Sequence, residues 1–182
     1  MNKLALALSV TSALALSVPA APAFASMETV EARQTASSAA DIAYQDMVDV
    51  FGKSSLKPGQ YLWRDSEADG APRVVIGLSD QIAYLYRGTT LVAVAATSTG
   101  TEKNPTPTGI FEVLQKKRMH HSRKYDNAPM PFMQRIDKWG IALHAGHNPG
   151  RPASHGCIRL PSKFAAKLYG VTDLGTTVLI GA

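Results

Sequence analysis

Cys157 is the only cysteine among 182 residues, and it stands in the run Ser154-His155-Gly156-Cys157-Ile158-Arg159. A thiolate is a strong nucleophile, but it needs a base or a positive surrounding to form near neutral pH. Three histidines are close enough in sequence to supply one. His155 lies two positions before the cysteine, and His144 thirteen positions before it, with His147 between them. In an extended segment residues i and i+2 share a face, so both His155 and Arg159 can approach the sulfur. Arg159 can lower the thiol pKa or hold a substrate carboxylate through its planar fork. Gly156 lets the backbone turn, so that the amides of Gly156 and Cys157 can point at one developing oxyanion. Ser154 is a hydrogen-bonding support for the loop. The alternative for a lone cysteine is a buried small hydrophobe, and the company it keeps here argues against that. His144 and His147 have helical ligand spacing, but no nearby carboxylate offers a third ligand, so no metal and no cofactor is expected.

The order Ser-His-Gly-Cys, an apolar residue, then Arg, preceded by His144-Ala145-Gly146, resembles the L,D-transpeptidase catalytic domain, also called the YkuD domain. The likeness runs from Arg73 to Ile180. It includes Ile76-Gly77-Leu78-Ser79-Asp80-Gln81, Ser98-Thr99-Gly100 and Thr106-Pro107-Thr108-Gly109-Ile110-Phe111. The resemblance implies an enzyme that acylates Cys157 with a peptidoglycan tetrapeptide stem, releases the terminal D-residue and passes the acyl group to an amine on a second stem. It implies His144 as the base, His155 in a supporting role, and the Ala145 carbonyl as the group that orients the base. Ser154, Ala145, Gly146 and Arg159 are assigned to the substrate side. Carbapenems, which mimic an acyl donor, are the expected inhibitors. Only nine residues, 145–153, separate His144 from Ser154, so the loop there is short. Hydrolysis at the same site, attachment or detachment of a protein at a stem, and a non-enzymatic wall-binding module remain as alternatives.

The elements that must hold this site read as mostly β. Val74-Val75-Ile76 is a short apolar strand. Ile82, Tyr84 and Tyr86 alternate with Ala83 and Leu85, as in a strand packed on both faces. Residues 91–97, 110–114 and 176–180 are also strand-like, and residues 140–143 form a strand that leads into His144. Residues 116–124 are cationic and read as a solvated loop or as an electrostatic guide for acidic stems. Residues 127–134 are broken by proline and cannot form a central strand. They read as a loop that walls a substrate groove. Ser162 is a suitable N-cap for a helix through Tyr169, stopped by Gly170. Residues 41–51 suit a short amphipathic helix ended by Gly52, and residues 26–40 a linker or frayed helix. The fold class is therefore α+β, mostly β. The resemblance implies a curved β-sandwich or barrel-like sheet that carries the catalytic loop.

The N-terminus begins Met1-Asn2-Lys3, continues without charge to Val18, and reaches Ala23-Phe24-Ala25. A basic start, an apolar middle and an A-x-A end describe a secretory signal peptide over residues 1–25. Residues 26–72 follow as an N-terminal segment and residues 73–182 as the catalytic domain. The apolar run is short for a membrane span. Cleavage after Ala25 removes Lys3, so the formal charge falls from +5 to +4. A mildly basic exported chain suits an anionic wall polymer in the periplasm or cell wall. No Lys/Arg run resembles a nucleic-acid patch.

Overall fold

The apolar alternation along the strands builds two sheets that share one core. The computed structural model describes residues 26–64 and 67–182. The expected signal peptide lies outside the described residues.

Strand β3 (Pro72–Gly77) pairs antiparallel with β4 (Ile82–Arg87), and β4 with β5 (Thr90–Ala96). Beyond β5 lies β2 (Tyr61–Trp63). On the other side of β3 lies β11 (Thr177–Gly181), parallel to it, followed by β6 (Gly109–Glu112) and then β1 (Ser26–Met27). The order of this seven-stranded sheet is β1-β6-β11-β3-β4-β5-β2. A second sheet has the order β10-β9-β8-β7, from Ile158–Leu160, Ala142–Ala145, Pro129–Arg135 and Gln115–His121 respectively. This is the expected mostly-β class, realised as two packed sheets and two helices rather than a closed barrel.

Period-2 alternation divides the large sheet between two cores. Val74, Ile76, Ala83, Leu85 and Ile180 face the second sheet, where they meet Leu143, Ile158, Leu160 and helix α2 (Ser162–Val171) through Phe164 and Leu168. Val75, Ile82, Tyr84, Tyr86 and Leu179 face the other way, onto helix α1 (Val30–Phe51).

Helix α1 begins where the Thr29 side chain accepts from the Ala32 amide, and it ends at Gly52, whose φ of 63° suits a left-handed cap. Residues 30–51 thus form one helix. Residues 30–40, within the stretch expected as a linker or frayed helix, are firmly part of it because Ala32, Ala36 and Ala40 continue the buried stripe of Ala43 and Met47. Small side chains carry little apolar signal, yet they allow close approach to the sheet. Tyr86 Oη adds a tether from the sheet by donating to Asp46 at 2.6 Å.

Three further expectations change. Residues 115–121 form strand β7, not a solvated loop. Its partner β8 lies inside the sheet despite its prolines. Pro129 and Pro131 pair only with β7, at His121 and Met119, whereas β9 meets β8 only at Gln134 and Arg135. The missing amides therefore fall where a second neighbour is absent. In α2, Pro161 takes the N-cap position, and Gly170 lies within the helix, which runs to Val171. Lys116 Nζ donates to the Tyr169 carbonyl at 2.8 Å and to that of Thr172, closing the negative end of the helix.

Candidate active site

The loop that carries Cys157 is fixed from three directions. Ser98 and Arg159 exchange backbone hydrogen bonds (3.1 and 3.0 Å), and the Ser154 amide donates to the Thr99 carbonyl at 3.0 Å. Thr106 Oγ1 accepts from the Gly100 amide and donates to the Gly156 carbonyl at 2.7 Å. Gln81 secures Thr99 in turn, accepting its amide at 3.0 Å and donating to its hydroxyl at 2.7 Å. Gly156 has a φ of 109°, and an added Cβ would lie 2.6 Å from Ile141 Cδ1. The positive φ is what favours glycine, since the Ile141 methyl ends a side chain that can move aside.

Strands β9 and β10 run parallel, with His144 beside Arg159 in register. His144, His147, His155, Cys157 and Arg159 line one cavity of about 1130 Å³, whose far wall is the β7–β8 hairpin with Met130, Pro131 and Met133. The proline-broken segment thus borders the cavity, although as a strand and not a loop. Cys157 is half-buried and packs against Met130, Met133 and Ala142. Its thiol donates to the Gly140 carbonyl at 3.8 Å, a long contact typical of sulfur. Burial raises the thiol pKa. The buried Asp137 carboxylate adds to this, while the Ala142 amide and Arg159 oppose it.

His144 is buried, and its Nδ1 lies 2.9 Å from the Ala145 carbonyl. A carbonyl can only accept, so Nδ1 carries the proton and Nε2 is left as the basic nitrogen. Burial lowers the His144 pKa, partly offset by that carbonyl and reinforced by Arg159. The ring is therefore neutral at pH 7. Together with the raised thiol pKa this favours the neutral form of both groups. The resting pair is a thiol and an imidazole.

The other residues divide by how they are held. His155 is exposed and stacks on Tyr125 (centroids 4.3 Å apart, planes 17°), and His147 is exposed on the cavity wall. Ser154 Oγ donates to the Cys157 carbonyl at 2.6 Å and accepts from the Gly156 amide at 3.1 Å. Its hydroxyl is engaged inside the loop. The same bond occupies the Gly156 amide, one of the two expected oxyanion donors. The Cys157 amide makes no backbone bond among the described residues. Ala145 contributes its carbonyl from a buried position, and the Gly146 amide donates to Leu160 at 3.1 Å.

Sequence reasoning missed Asp137. Its Oδ1 accepts from the amides of Trp139, Gly140 and Ile141 at 2.9, 2.7 and 2.8 Å, fixing the turn that carries Gly140 to the sulfur. The available signal was Asp137 with Gly140 three residues on, an Asp-initiated turn directly before a strand.

This loop, with its single cysteine, upstream histidine and two-sheet frame, agrees with the family match. Residues 71–180 match the L,D-transpeptidase catalytic domain, more than half of the chain, and the chain belongs to that family. Solved structures agree in fold. L,D-transpeptidase 1 of Mycobacterium tuberculosis is 21% identical with a TM-score of 0.54, over 62% of this chain and 62% of that one. An L,D-transpeptidase of Stackebrandtia nassauensis is 24% identical with a TM-score of 0.58, over 74% and 64%. L,D-transpeptidase 3 of M. tuberculosis, in complex with a faropenem-derived adduct, is 22% identical with a TM-score of 0.56, over 62% and 60%. The matches thus span less than two thirds of each of these structures. No curated protein matches the chain significantly.

Proposed function

We propose that this chain is an exported L,D-transpeptidase that works on peptidoglycan tetrapeptide stems through a thioester at Cys157. The observation that carries the reading is the shared cavity of Cys157 and His144, with His144 Nδ1 bound to the Ala145 carbonyl and its other nitrogen basic. Nε2 takes the thiol proton as the sulfur attacks the carbonyl of the diamino acid. The Cys157 amide stabilises the oxyanion. The tetrahedral intermediate collapses, the proton passes to the leaving amine, and the terminal D-residue departs. A side-chain amine of a second stem then attacks the thioester, loses its proton to His144 and regenerates the thiol. Arg159 holds a donor carboxylate, and His155, stacked on Tyr125, borders the donor. Ser154 and Gly156 keep the loop in shape. The basic start, uncharged run and Ala-Phe-Ala of residues 1–25 support export to the periplasm or cell wall. Among the described residues no helix is long and apolar enough to cross a membrane.

Intact-mass measurement after incubation with a disaccharide-tetrapeptide tests the reading. Wild type gains the mass of the donor less its terminal residue, and a folded Cys157→Ala protein gains nothing. A carbapenem adds once per chain, also only with Cys157 present; the faropenem-derived adduct of the M. tuberculosis relative supports a β-lactam reaching such a site. Cross-linking at wild-type level by folded Cys157→Ala would end the proposal.

A further inference from the structure

The cavity around Cys157 has a one-sided charge. Six cations line it: Lys117, Arg123, Lys124, Arg135, Lys138 and Arg159. No aspartate or glutamate among the described residues does so. The cationic stretch of β7 is divided by the strand. Lys116 faces away and caps α2, and Arg118 lies over the Phe132 ring, 5.8 Å from its centroid. Lys117 is left facing the cavity. Three of the cavity cations have uncharged partners. Arg135 donates to the Asp137 carbonyl at 2.6 Å and to Gln115 Oε1 at 3.4 Å, while Lys124 and Lys138 sit over Tyr125 and Trp139. Among the described residues, the carboxylate whose charge reaches the sulfur is Asp137. It is buried behind the wall, with Oδ1 accepting three amides. Positive charge thus comes from β7, the 122–128 turn, β8, the 137–140 turn and β10, with nothing in the lining to neutralise it.

We propose that this wall determines specificity: the cavity selects polyanionic donors, namely stems whose D-glutamyl and diamino-acid carboxylates are free rather than amidated. The substrate class rests on the transpeptidase reading above; the preference for anions does not. An exposed ion pair is worth about threefold in affinity in the middle of its range, so two carboxylates are worth roughly tenfold at low salt. The effect fades as the screening length shortens. Amidation replaces each anion with a neutral group and removes the attraction without changing the shape of the stem.

Two measurements separate the inference from the function it builds on. The first compares kcat/KM for acylation of Cys157 by a disaccharide-tetrapeptide with free carboxylates and by the same compound amidated at both. The free form should react about tenfold faster at low salt. The ratio should fall toward one in molar salt and in Lys117→Glu/Lys124→Glu, with Lys117→Gln between. The second compares iodoacetate with iodoacetamide, in each of which the sulfur bonds to carbon and iodide leaves. Relative to a free cysteine, Cys157 should prefer the anionic reagent, and the double charge reversal should remove that preference. Equal rates with both stems overturn the inference and leave the transpeptidase reading standing. Failure of both stems with the iodoacetate preference intact removes the transpeptidase reading and keeps the anion-selecting wall. Absence of the iodoacetate preference overturns the inference whatever the stems do.

Discussion

At Cys157 burial against Met130, Met133 and Ala142 outweighs the positive charge of Arg159, so the thiol titrates above its ordinary value. At His144 burial acts in the opposite sense and lowers the imidazole. Both shifts favour the neutral form, so the working pH range should be wider than for an unperturbed pair. The acid limb of kcat/KM should fall below the ordinary histidine pKa, since His144 must lose its proton to act. The basic limb should fall above the ordinary cysteine value. Alkylation of Cys157 against pH should likewise have its midpoint above that of a free cysteine. A midpoint below it would mean a preformed thiolate–imidazolium pair. His144→Ala should slow acylation roughly 10²–10⁴-fold, the contribution of a general base. His147→Ala should cost little, because His147 is exposed and, among the described residues, no hydrogen bond fixes its ring. A larger loss from His147→Ala would move the base assignment. The identities of these residues were legible, because chemistry needs a thiol, a base and a glycine in a narrow spacing. The sign of the thiol shift was not. It depends on β8 and on Asp137, twenty residues away in the chain.

Among the elements, the turn that follows β8 links stability to the site. Asp137→Ala should release three amides at once and cost about 1.5–3 kcal/mol, the range for hydrogen bonds to a charged acceptor. At about 2–4 °C per kcal/mol for a chain of this size, the melting temperature should drop by several degrees. The same change removes a negative charge that raises the thiol pKa, so the alkylation midpoint should move down. Asp137→Asn should recover part of the melting temperature, because an amide oxygen still accepts. Loss of stability with no movement of the midpoint would separate Asp137 from the sulfur. Continuous apolar runs made β3, β4, β5 and β11 legible, since each is packed on both faces. Proline concealed β8, because a sequence does not say which end of a strand lacks a second neighbour. Alanine concealed the first half of α1: its burial comes from close approach to β11, not from side-chain size. Ser98-Thr99-Gly100 and Thr106 were visible as pieces of the family pattern, but their work, holding the Cys157 loop from outside, appears only when β5 and the following loop are brought beside it.

Over the whole molecule, β11 lies between β6 and β3 and under α1. At Gly181 an added Cβ would lie 2.5 Å from the Ala36 carbonyl oxygen and 2.7 Å from Ser37 Cα, both backbone atoms that cannot swing aside. Gly181→Ala should therefore push the helix off the sheet and cost about 1–3 kcal/mol by overpacking, read as a lower midpoint in urea. An unchanged midpoint would mean that α1 slides without penalty. The position of β11 also orders events in time. Without residues 177–181 the large sheet is in two pieces, β1 with β6 and β3 with β4, β5 and β2. The strand that joins them follows every other described strand in the chain. Until β11 is made the chain has no finished large sheet, and a pore that accepts only extended polypeptide meets no joined sheet to unfold. The strand that locks the large sheet comes after all its other described strands, so that sheet closes only once they are present.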